Sequence, residues 1–278
     1  MTSRRFNLTP ATAAFAAMHL ACLGAFLTPF TRKLGALGLF LYASRMLLVT
    51  AGYHRYFSHR SYRTSRAGQC VLAFLAQTSG QKGVLWWAAM HRTHHRDADT
   101  ERDVHSPRVQ GFWWSHVGWI LSDAHDRFVP GSVRDLERFP ELRFLDRRHW
   151  ICPVALGAAT LLLGAWTGLG AWPALLYGFI FSTVLLWHAT FTINSLAHIW
   201  GSRRFATPDG SRNNAVLALI TFGEGWHNNH HHCQGACRQG IRWWELDLAF
   251  ICLKLLCWAG LVWDLKPRPE HRAAREAS

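Results

Sequence analysis

Acidic residues are scarce in this 278-residue chain: 17 Asp and Glu stand against 30 Lys and Arg, giving a formal net charge of +13. Long stretches carry no charge of either sign, and none lies between Thr9 and Phe30. A nucleic-acid-binding protein could have this basic excess, but it would not usually contain uncharged apolar runs long enough to cross a bilayer. Half of the residues are hydrophobic and 15 are Trp, which favours a membrane protein with aromatic side chains at its interfaces.

Several catalytic and processing signatures are also missing. The seven cysteines show no spacing typical of a disulfide framework. The His-Glu-x-x-His motif does not occur, so a zinc hydrolase would lack its general base. No haem, iron–sulfur or flavin signature is present, so redox chemistry would need electrons from a separate protein. Arg4 and Arg5 lead into a long apolar run without a cleavage site, and we expect no signal peptide.

Long apolar runs predict four membrane-spanning helices. The predicted spans are 9–30, 34–53, 150–166 and 172–191. Each pair of crossings returns the chain to its starting side, so the polar segments 54–149 and 194–265 share one side and form a helical cap. We therefore expect an all-α integral membrane protein that is one domain over 1–278 and ends in a disordered tail, 266–278.

Two further apolar runs, 71–90 and 246–263, are not expected to cross. Lys82 and Lys254 lie near their centres, where a charge in a spanning helix is costly. A crossing at 71–90 would also separate the histidines before it from those after it. We expect in-plane, interfacial or partly buried helices there. Arg45 in the second span is costly unless its side chain faces the protein interior or snorkels to the interface, and we expect it to have a structural role. The basic cap, set against the uncharged turn between the last two spans, is predicted to be cytoplasmic.

Four histidine motifs lie on this predicted cytoplasmic side. They are His54 with His59; His91 with His94 and His95; Asn194 with His198; and His227 with His230 and His231. Spacings of i, i+3 and i+4 put side chains on one face of a helix, so the second and fourth motifs each present three imidazoles together. The i, i+5 spacing of the first motif does not share a face of a regular α-helix, so we expect a helix end that bends around a site.

Together the motifs predict a site for two metal ions. One ion binds about four to six ligands, so nine imidazoles suit two ions with four or five nitrogens each. Neutral imidazole binds iron, zinc and copper alike, so the residues leave the metal open. A structural role would explain one motif alone better than it explains all four. The remaining histidines lack such spacing and are assigned structural roles: His19, His105, His116, His125, His149, His188, His232 and His271.

These motifs resemble the three histidine boxes and the additional histidine of membrane fatty acyl desaturases of the delta-9, stearoyl-CoA desaturase-like family. The resemblance covers about residues 35–265 and extends to the element Asp103-Val104-His105-Ser106-Pro107, where Val104 replaces the usual proline. Asn229 is typical of the bacterial branch, which implies the inner membrane. The resemblance implies that the nine histidines bind two irons and that Asn194 reaches one of them through water. It also implies four membrane helices under a cytosolic cap, with the acyl chain in a bent tunnel.

The resemblance further implies that Gln81, Trp87 and Thr190 line the kink in this tunnel. The expected reaction is insertion of a cis double bond at C9 of a saturated acyl-CoA. Removing hydrogen from an unactivated methylene needs a redox-active metal, so zinc could replace iron in a purified protein but could not do this chemistry. The co-substrate O2 takes four electrons on reduction to water. Two come from the substrate, and two must come from a ferredoxin or cytochrome b5 type of donor with its reductase.

Three alternatives remain. A fatty acyl hydroxylase on a similar di-iron scaffold shares the first hydrogen abstraction, so the ligands separate the two poorly. A membrane metal transporter would place ligands inside the spans, whereas these motifs lie outside them. A zinc hydrolase would need a base, and Glu224 is the nearest acidic residue to the last motif. We interpret Glu224 instead as a partner that orients a ligand histidine.

Overall fold

The computed structural model describes residues 9–268, which form a helical protein with one short pair of strands. The helices are α1 (Pro10–Ala21), α2 (Arg32–Leu48), α3 (Arg66–Gln77), α4 (Val84–Asp97), α5 (Pro107–Gln110), α6 (Trp119–Leu121), α7 (Arg134–Glu137), α8 (Pro140–Arg147), α9 (Ile151–Trp166), α10 (Ala171–Pro173), α11 (Ser182–Asn194), α12 (Ala215–Ile220), α13 (His227–His232) and α14 (Leu248–Trp258). Strands β1 (Arg63–Thr64) and β2 (Val262–Trp263) pair antiparallel, with Arg63 opposite Trp263.

Several helices continue with a different winding. Helix α1 runs on as a 3-10 helix, Cys22–Leu27, and α2 runs on as a π-helix, Val49–Ser58. A π-helix, Ala174–Phe181, joins α10 to α11, another, Trp114–Gly118, precedes α6, and short 3-10 turns cover Asp123–His125 and Leu196–His198.

Three continuous helices in the described chain are long and apolar enough to cross a membrane: Pro10–Leu27, Arg32–Ser58 and Ala171–His198. They correspond to the predicted spans 9–30, 34–53 and 172–191. The predicted span 150–166 is the 16-residue helix α9. It is long enough to cross a membrane only together with α8, and the axes of the two helices differ by 68°. The described residues therefore contain three candidate spans, or four if this bent pair crosses as one.

The buried Arg45 explains how the second of these helices tolerates a charge. Its side chain is 1% exposed and donates hydrogen bonds to the hydroxyls of Ser182 and Thr183, at 2.5 and 2.6 Å. A third bond goes to the Leu41 carbonyl. A charged group in an apolar environment is tolerated when its donors are satisfied. Of the two expected arrangements for Arg45, the structure shows the one in which the side chain faces the interior.

We had expected the apolar run 71–90 to form one helix. It instead forms parts of α3 and α4, which are separated by a turn. Gly80 and Lys82 take φ values of 69° and 62° in this turn, which a helix cannot continue through. The side chain of Asp146 then accepts hydrogen bonds from the backbone N–H groups of Leu85 and Trp86, at 2.8 and 3.1 Å. An acceptor at these free N–H groups stabilises the start of α4, which carries the second histidine motif.

The C-terminal segment is attached to the cap further than predicted. The Lys266 backbone bonds to Ser61 and to Cys237, each at 2.9 Å, and the side chain of Arg268 is 5% exposed and bonds to the Gln239 carbonyl. The predicted start of the disordered tail, residue 266, is therefore wrong, because residues 266 and 268 are still bonded to the fold. Its remainder, including His271, lies outside the described residues.

Candidate metal centre

The first histidine motif sits on the π-helical end of α2. The backbone N–H of His59 donates to the carbonyl of His54 at 3.2 Å, the i to i+5 bond of π winding. This winding stacks residue i+5 over residue i, so the two rings lie 4.8 Å apart between centroids. We had expected a bent helix end; the structure instead accommodates the i, i+5 spacing by widening the helix to i, i+5 hydrogen bonds.

Five imidazoles from three segments form one nitrogen group. It comprises His54, His59, His91, His95 and His230, whose ligand atoms lie within 4.8 Å of one another. Their Nε2 atoms make a continuous series of contacts: His59 to His91 at 2.8 Å, His91 to His95 at 2.9 Å, His95 to His230 at 2.9 Å, and His230 to His54 at 3.0 Å. We call these residues the five-histidine group.

Hydrogen bonding alone does not account for these contacts. Each Nε2 has either one proton or one lone pair, so it takes part in one hydrogen bond. Five atoms joined by four contacts can therefore make at most two hydrogen bonds. A cation at the centre would accept every lone pair. Two metal–nitrogen bonds of about 2.1 Å at a right angle put the nitrogens about 3.0 Å apart, the separation seen here.

Four further imidazoles form a second, more deeply buried group. It comprises His94, His198, His227 and His231, all at most 7% exposed, with ligand atoms within 4.8 Å of one another. The Nε2 atoms of His198 and His227 are 3.0 Å apart. The Nε2 of His231 is buried without a hydrogen-bond partner among the described residues. An unpaired buried nitrogen aimed into such a group fits a metal ligand, and we call these residues the four-histidine group.

Carboxylates bind the outward-facing Nδ1 atoms of four of these rings. The pairs are Glu224 with His54 at 2.5 Å, Asp103 with His94 at 2.9 Å, Asp99 with His198 at 3.1 Å, and Asp209 with His231 at 2.9 Å. A carboxylate on Nδ1 fixes the tautomer that leaves the Nε2 lone pair free for a metal, and it raises the basicity of the ring. Glu224 thus lies where its predicted orienting role requires.

Burial keeps most of these rings in the neutral form that binds metals. It lowers the pKa of His59, His91, His95 and His230 well below the ordinary value, and neighbouring imidazoles lower it further. The pKa of His231 falls to about 4, again mainly through burial. His94 differs, because Asp103 and two other carboxylates raise its pKa by more than burial lowers it.

The residues expected at the tunnel kink are hydrogen-bonded to one another. The Gln81 amide donates to the Thr190 hydroxyl at 3.0 Å and accepts from the Trp87 indole at 3.2 Å. The Trp87 ring stacks on His91, with centroids 4.9 Å apart. Trp87, Thr190 and Asn194 line a narrow cavity between α2 and α11 that ends at His54 and His91. Its other lining residues are Met46, Val49, Thr50, Ile193, Thr221 and Glu224.

The sequence matches the fatty acid desaturase family over residues 32–259. The chain belongs to this family. It is 36% identical to the sn-1 stearoyl-lipid 9-desaturase of Synechocystis sp. over 277 residues, 98% of this chain and 85% of that protein. It is 37% identical to the Delta-9 desaturase-like 5 protein of Arabidopsis thaliana over 90% of this chain and 82% of that one. It is also 36% identical to the acyl-CoA 5-desaturase AL21 of Anemone leveillei, over 92% and 78%.

The sequence did not identify every residue around this desaturase centre. Asp99 and Asp209 approach from loops, and no local spacing links them to His198 and His231. His105 was assigned a structural role, yet its ring packs on that of His94, with centroids 4.4 Å apart, and its Nδ1 has no partner among the described residues. The signal available was its place in the Asp103–Pro107 element. His232 stacks on Phe205 on the outside of α13, away from both groups.

Proposed function

We propose that this desaturase-family protein is an O2-dependent fatty acyl desaturase that inserts a cis double bond at C9 of a saturated acyl-CoA. One observation carries the proposal: two nitrogen groups, one of five and one of four imidazoles, both draw on α4, and the first reaches a narrow cavity lined by Trp87 and Thr190. Chains named as desaturases match over most of this sequence, which favours desaturation over the hydroxylase alternative.

Each nitrogen group would hold one iron, with Asn194 reaching an ion through water. The ligands would be His54, His59, His91, His95 and His230 in one group, and His94, His198, His227 and His231 in the other. Iron, when bound, supplies the oxidising power needed to remove hydrogen from a methylene while O2 is reduced to water. Zinc fits the same nitrogens and could occupy them in purified protein.

The protein's own task is to position the chain, because the methylenes of a saturated acyl group are chemically alike. The linked side chains of Gln81, Trp87 and Thr190 form a rigid wall across the cavity, next to His91. Such a wall would bend an entering chain and select the methylenes beside the metals. The carboxylates behind the rings, Glu224 among them, would hold the ligands fixed while the chain enters.

The reaction balances only with an external reductant. A saturated acyl group, O2, two electrons and two protons give the unsaturated group and two waters, so we propose a separate ferredoxin or cytochrome b5 type of donor with its reductase. A polar pocket of about 380 Å³ reaches the five-histidine group from outside and includes His59, His95, Arg92 and Arg96 among its lining residues. No carboxylate is among its described lining residues, which would suit an acidic donor.

Four membrane crossings best account for the position of the site. His54 lies near the end of the span-length helix Arg32–Ser58, and His198 ends the helix Ala171–His198. Because both groups take histidines from α4, His91 and His95 in one and His94 in the other, both spans must end on the same side. An odd number of crossings must therefore lie between Ser58 and Ala171, and the bent pair α8 and α9 is the candidate in the described chain. We place the cap in the cytoplasm and the spans in the inner membrane.

The carrier of the acyl chain is part of the proposal. The relatives are named both for lipid-linked and for CoA-linked substrates. We retain acyl-CoA, because the basic chain suits the CoA phosphates. Purified protein given stearoyl-CoA or a stearoyl glycerolipid in matched vesicles would decide this point. Turnover of the lipid alone would reject acyl-CoA as the substrate.

The central test is gas chromatography with mass spectrometry of total fatty acids from a host without its own aerobic desaturase. The host would express the wild type, His94→Ala, or His149→Ala as a control histidine outside both groups, together with a compatible donor and reductase. We expect a new acid with its double bond at C9 from the wild type and from His149→Ala, and none from His94→Ala. Hydroxylated acids would establish the hydroxylase instead. No product from iron-loaded protein with several donors would reject the proposal.

A further inference from the structure

Three histidines outside both metal groups are joined end to end by hydrogen bonds. His19 of α1 bonds through Nε2 to Nε2 of His188 on α11, at 3.0 Å. The Nδ1 of His188 lies 3.0 Å from Nε2 of His116, in the π-helix before α6. The Nδ1 of His116 lies 3.0 Å from the hydroxyl of Ser195, the C-cap residue of α11. We call His19, His188 and His116 the three-histidine bridge.

The His19 end of the bridge fixes the direction of every hydrogen bond in it, provided that all three rings are neutral. The Nδ1 of His19 lies 2.7 Å from the Phe15 carbonyl, which only accepts, so this nitrogen carries the proton. The Nε2 of His19 must then accept from His188, the Nδ1 of His188 from His116, and the Nδ1 of His116 from the Ser195 hydroxyl. In this arrangement the Ser195 hydroxyl gives its one proton to His116 rather than to the Phe191 carbonyl, which lies 2.9 Å from it and also receives the Ser195 backbone N–H at 3.1 Å. Every nitrogen is satisfied in this one arrangement.

The bridge ends beside the wall of the cavity. Ser115, the neighbour of His116, donates its hydroxyl to the Asn194 carbonyl at 2.6 Å. Two consecutive residues, Ser115 and His116, thus hold the two consecutive residues that end α11. Asn194 lines the cavity together with Thr190, one turn earlier on the same helix. The bridge therefore fixes the part of α11 that faces the five-histidine group.

The other end of the bridge holds the first helix. Helix α1 has no fully buried residue, and its packing against the core comes from the partly buried Phe15, Met18 and Ala21. Inside a bilayer, lipid is as apolar as the side chains, and helices associate through packing and interhelical hydrogen bonds. The bond of His19 to His188, supported by the stacking of Phe15 on Trp187 at 5.2 Å, supplies such a contact. Polar side chains at this depth are costly unless they are fully paired, which the bridge achieves.

We propose that His19, His188 and His116 are positioning residues that set the register of Asn194 and Thr190 against the metal centre, and so determine which methylene is oxidised. This inference rests on the proposed desaturase function. It predicts that breaking the bridge alters the position of the double bond while leaving the histidine ligands occupied. A purely structural role would lower the amount of active protein without changing where the double bond is made.

His188 offers a matched pair of variants. Glutamine has a carbonyl that can accept from His116 and an amide that can donate to His19, so His188→Gln preserves the polarity of the bridge, whereas His188→Leu abolishes it. His149→Leu, at a half-buried histidine in neither the bridge nor a metal group, is the control for losing an imidazole. Full-length proteins would be compared for iron content, turnover and double-bond position. The double-bond position would be read by mass spectrometry after dimethyl disulfide has been added across the double bond of the product.

For His188→Leu we expect unchanged iron content, a fall in turnover of about tenfold to a hundredfold, and new positional isomers, since small displacements of a positioned group have effects of this size. His188→Gln and His149→Leu should keep the wild-type isomer. A Leu variant with the wild-type rate and isomer would overturn the proposal. Equal damage from Gln and Leu would also overturn it, because lost shape rather than lost hydrogen bonding would then be responsible.

A smaller change keeps the test decisive if His188→Leu does not fold. Ser195→Ala removes one hydroxyl and breaks only the link between the bridge and the end of α11. We expect the same isomers from Ser195→Ala in smaller proportion, and their absence in folded, iron-loaded protein would reject the inference. A wild type that forms no unsaturated product would instead contradict the desaturase function itself.

Discussion

At the scale of single residues, the carboxylates behind the histidines distinguish this centre from a surface histidine cluster. Asp103 is 2% exposed and contacts Nδ1 of His94 with both oxygens, at 2.9 and 3.1 Å. Its pKa lies well below the ordinary value, because the contact with His94 outweighs the effect of burial. Asp103 is therefore ionised at neutral pH and holds His94 with its Nε2 directed at the four-histidine group.

We expect Asp103→Asn to weaken metal binding at the four-histidine group by about tenfold to a hundredfold, the usual effect of losing a partner of a ligand histidine. Titration of the metal-loaded protein with a competing chelator measures this. Asp97→Asn is the matched control, because Asp97 is a similarly buried acid nearby that pairs with Arg96 and Arg102 rather than with a histidine. Equal metal loss from both variants would show that Asp103 acts through the fold of the loop.

The two groups should also respond differently to acid. Burial lowers the pKa of His94, but Asp103 and other carboxylates raise it by more, whereas burial holds the pKa of His91 and His95 well below the ordinary value. Because its pKa is raised above the ordinary value of about 6.5, His94 gains a proton first as the pH falls, starting above that value, and an imidazolium repels a cation. The four-histidine group should therefore lose its ion at a higher pH than the five-histidine group.

Metal analysis after dialysis at falling pH tests this order. Between about pH 8 and about pH 5.5 we expect the content to fall from about two ions per chain to about one, with the second ion lost only at lower pH. Simultaneous loss of both ions would contradict the assignment of His94 as the acid-sensitive ligand. Retention of both ions at the acid end of this range would contradict it as well.

At the scale of secondary structure, local spacing accounts for what the sequence could predict. The i, i+3, i+4 motifs lie on single helices, α4 and α13, because helical periodicity is a local property. The i, i+5 motif excluded a regular helix, but spacing alone could not identify the π-helix, which depends on how α2 packs against α4. The turn at Gly80 was missed because its apolar flanks extend the pattern across it. Asp99 and Asp209 reach their histidines only through tertiary folding.

The junction between α12 and α13 shows how tightly one element sets a ligand. Gly225 lies two residues before His227, and a Cβ at this position would sit 2.0 Å from the Ala218 nitrogen and 2.5 Å from the Asn214 oxygen. Both are backbone atoms of the adjoining turn, so they cannot move aside without displacing α12. The close approach therefore requires glycine, although no unusual φ angle does.

We expect Gly225→Ala to lower the midpoint of thermal unfolding by about 5 °C or more. The added methyl group would clash with backbone atoms, and relieving such overpacking reduces the free energy of unfolding. Gly235→Ala in the following loop is the control, since a Cβ there meets no atom within 4 Å. Tryptophan fluorescence of the detergent-solubilised proteins during heating gives both midpoints. Equal midpoints would mean that α12 can move away, and that His227 is held less rigidly than the contacts indicate.

At the scale of the whole molecule, the histidine groups constrain how the chain crosses the membrane. The described residues include three continuous helices of spanning length. Three crossings would separate His54 and His91 from His198 and His227, yet the two groups containing these residues share α4. A fourth crossing by the bent pair α8 and α9 resolves the conflict. This proposed crossing would also place the uncharged turn around Gly168 on the side opposite the cap.

A short protease-recognition sequence inserted at either of two open glycines would test this arrangement in the full-length protein. Gly168 lies in the turn after α9 and Gly235 in the cap, and a Cβ at either position meets no atom within 4 Å, so both should tolerate insertion. We expect added protease to cut the Gly235 insertion only in inverted inner-membrane vesicles and the Gly168 insertion only in spheroplasts. Cleavage of both from the same side would mean that α9 does not cross. The last span would then have to enter and leave on one face, which its continuous helix Ala171–His198 does not allow.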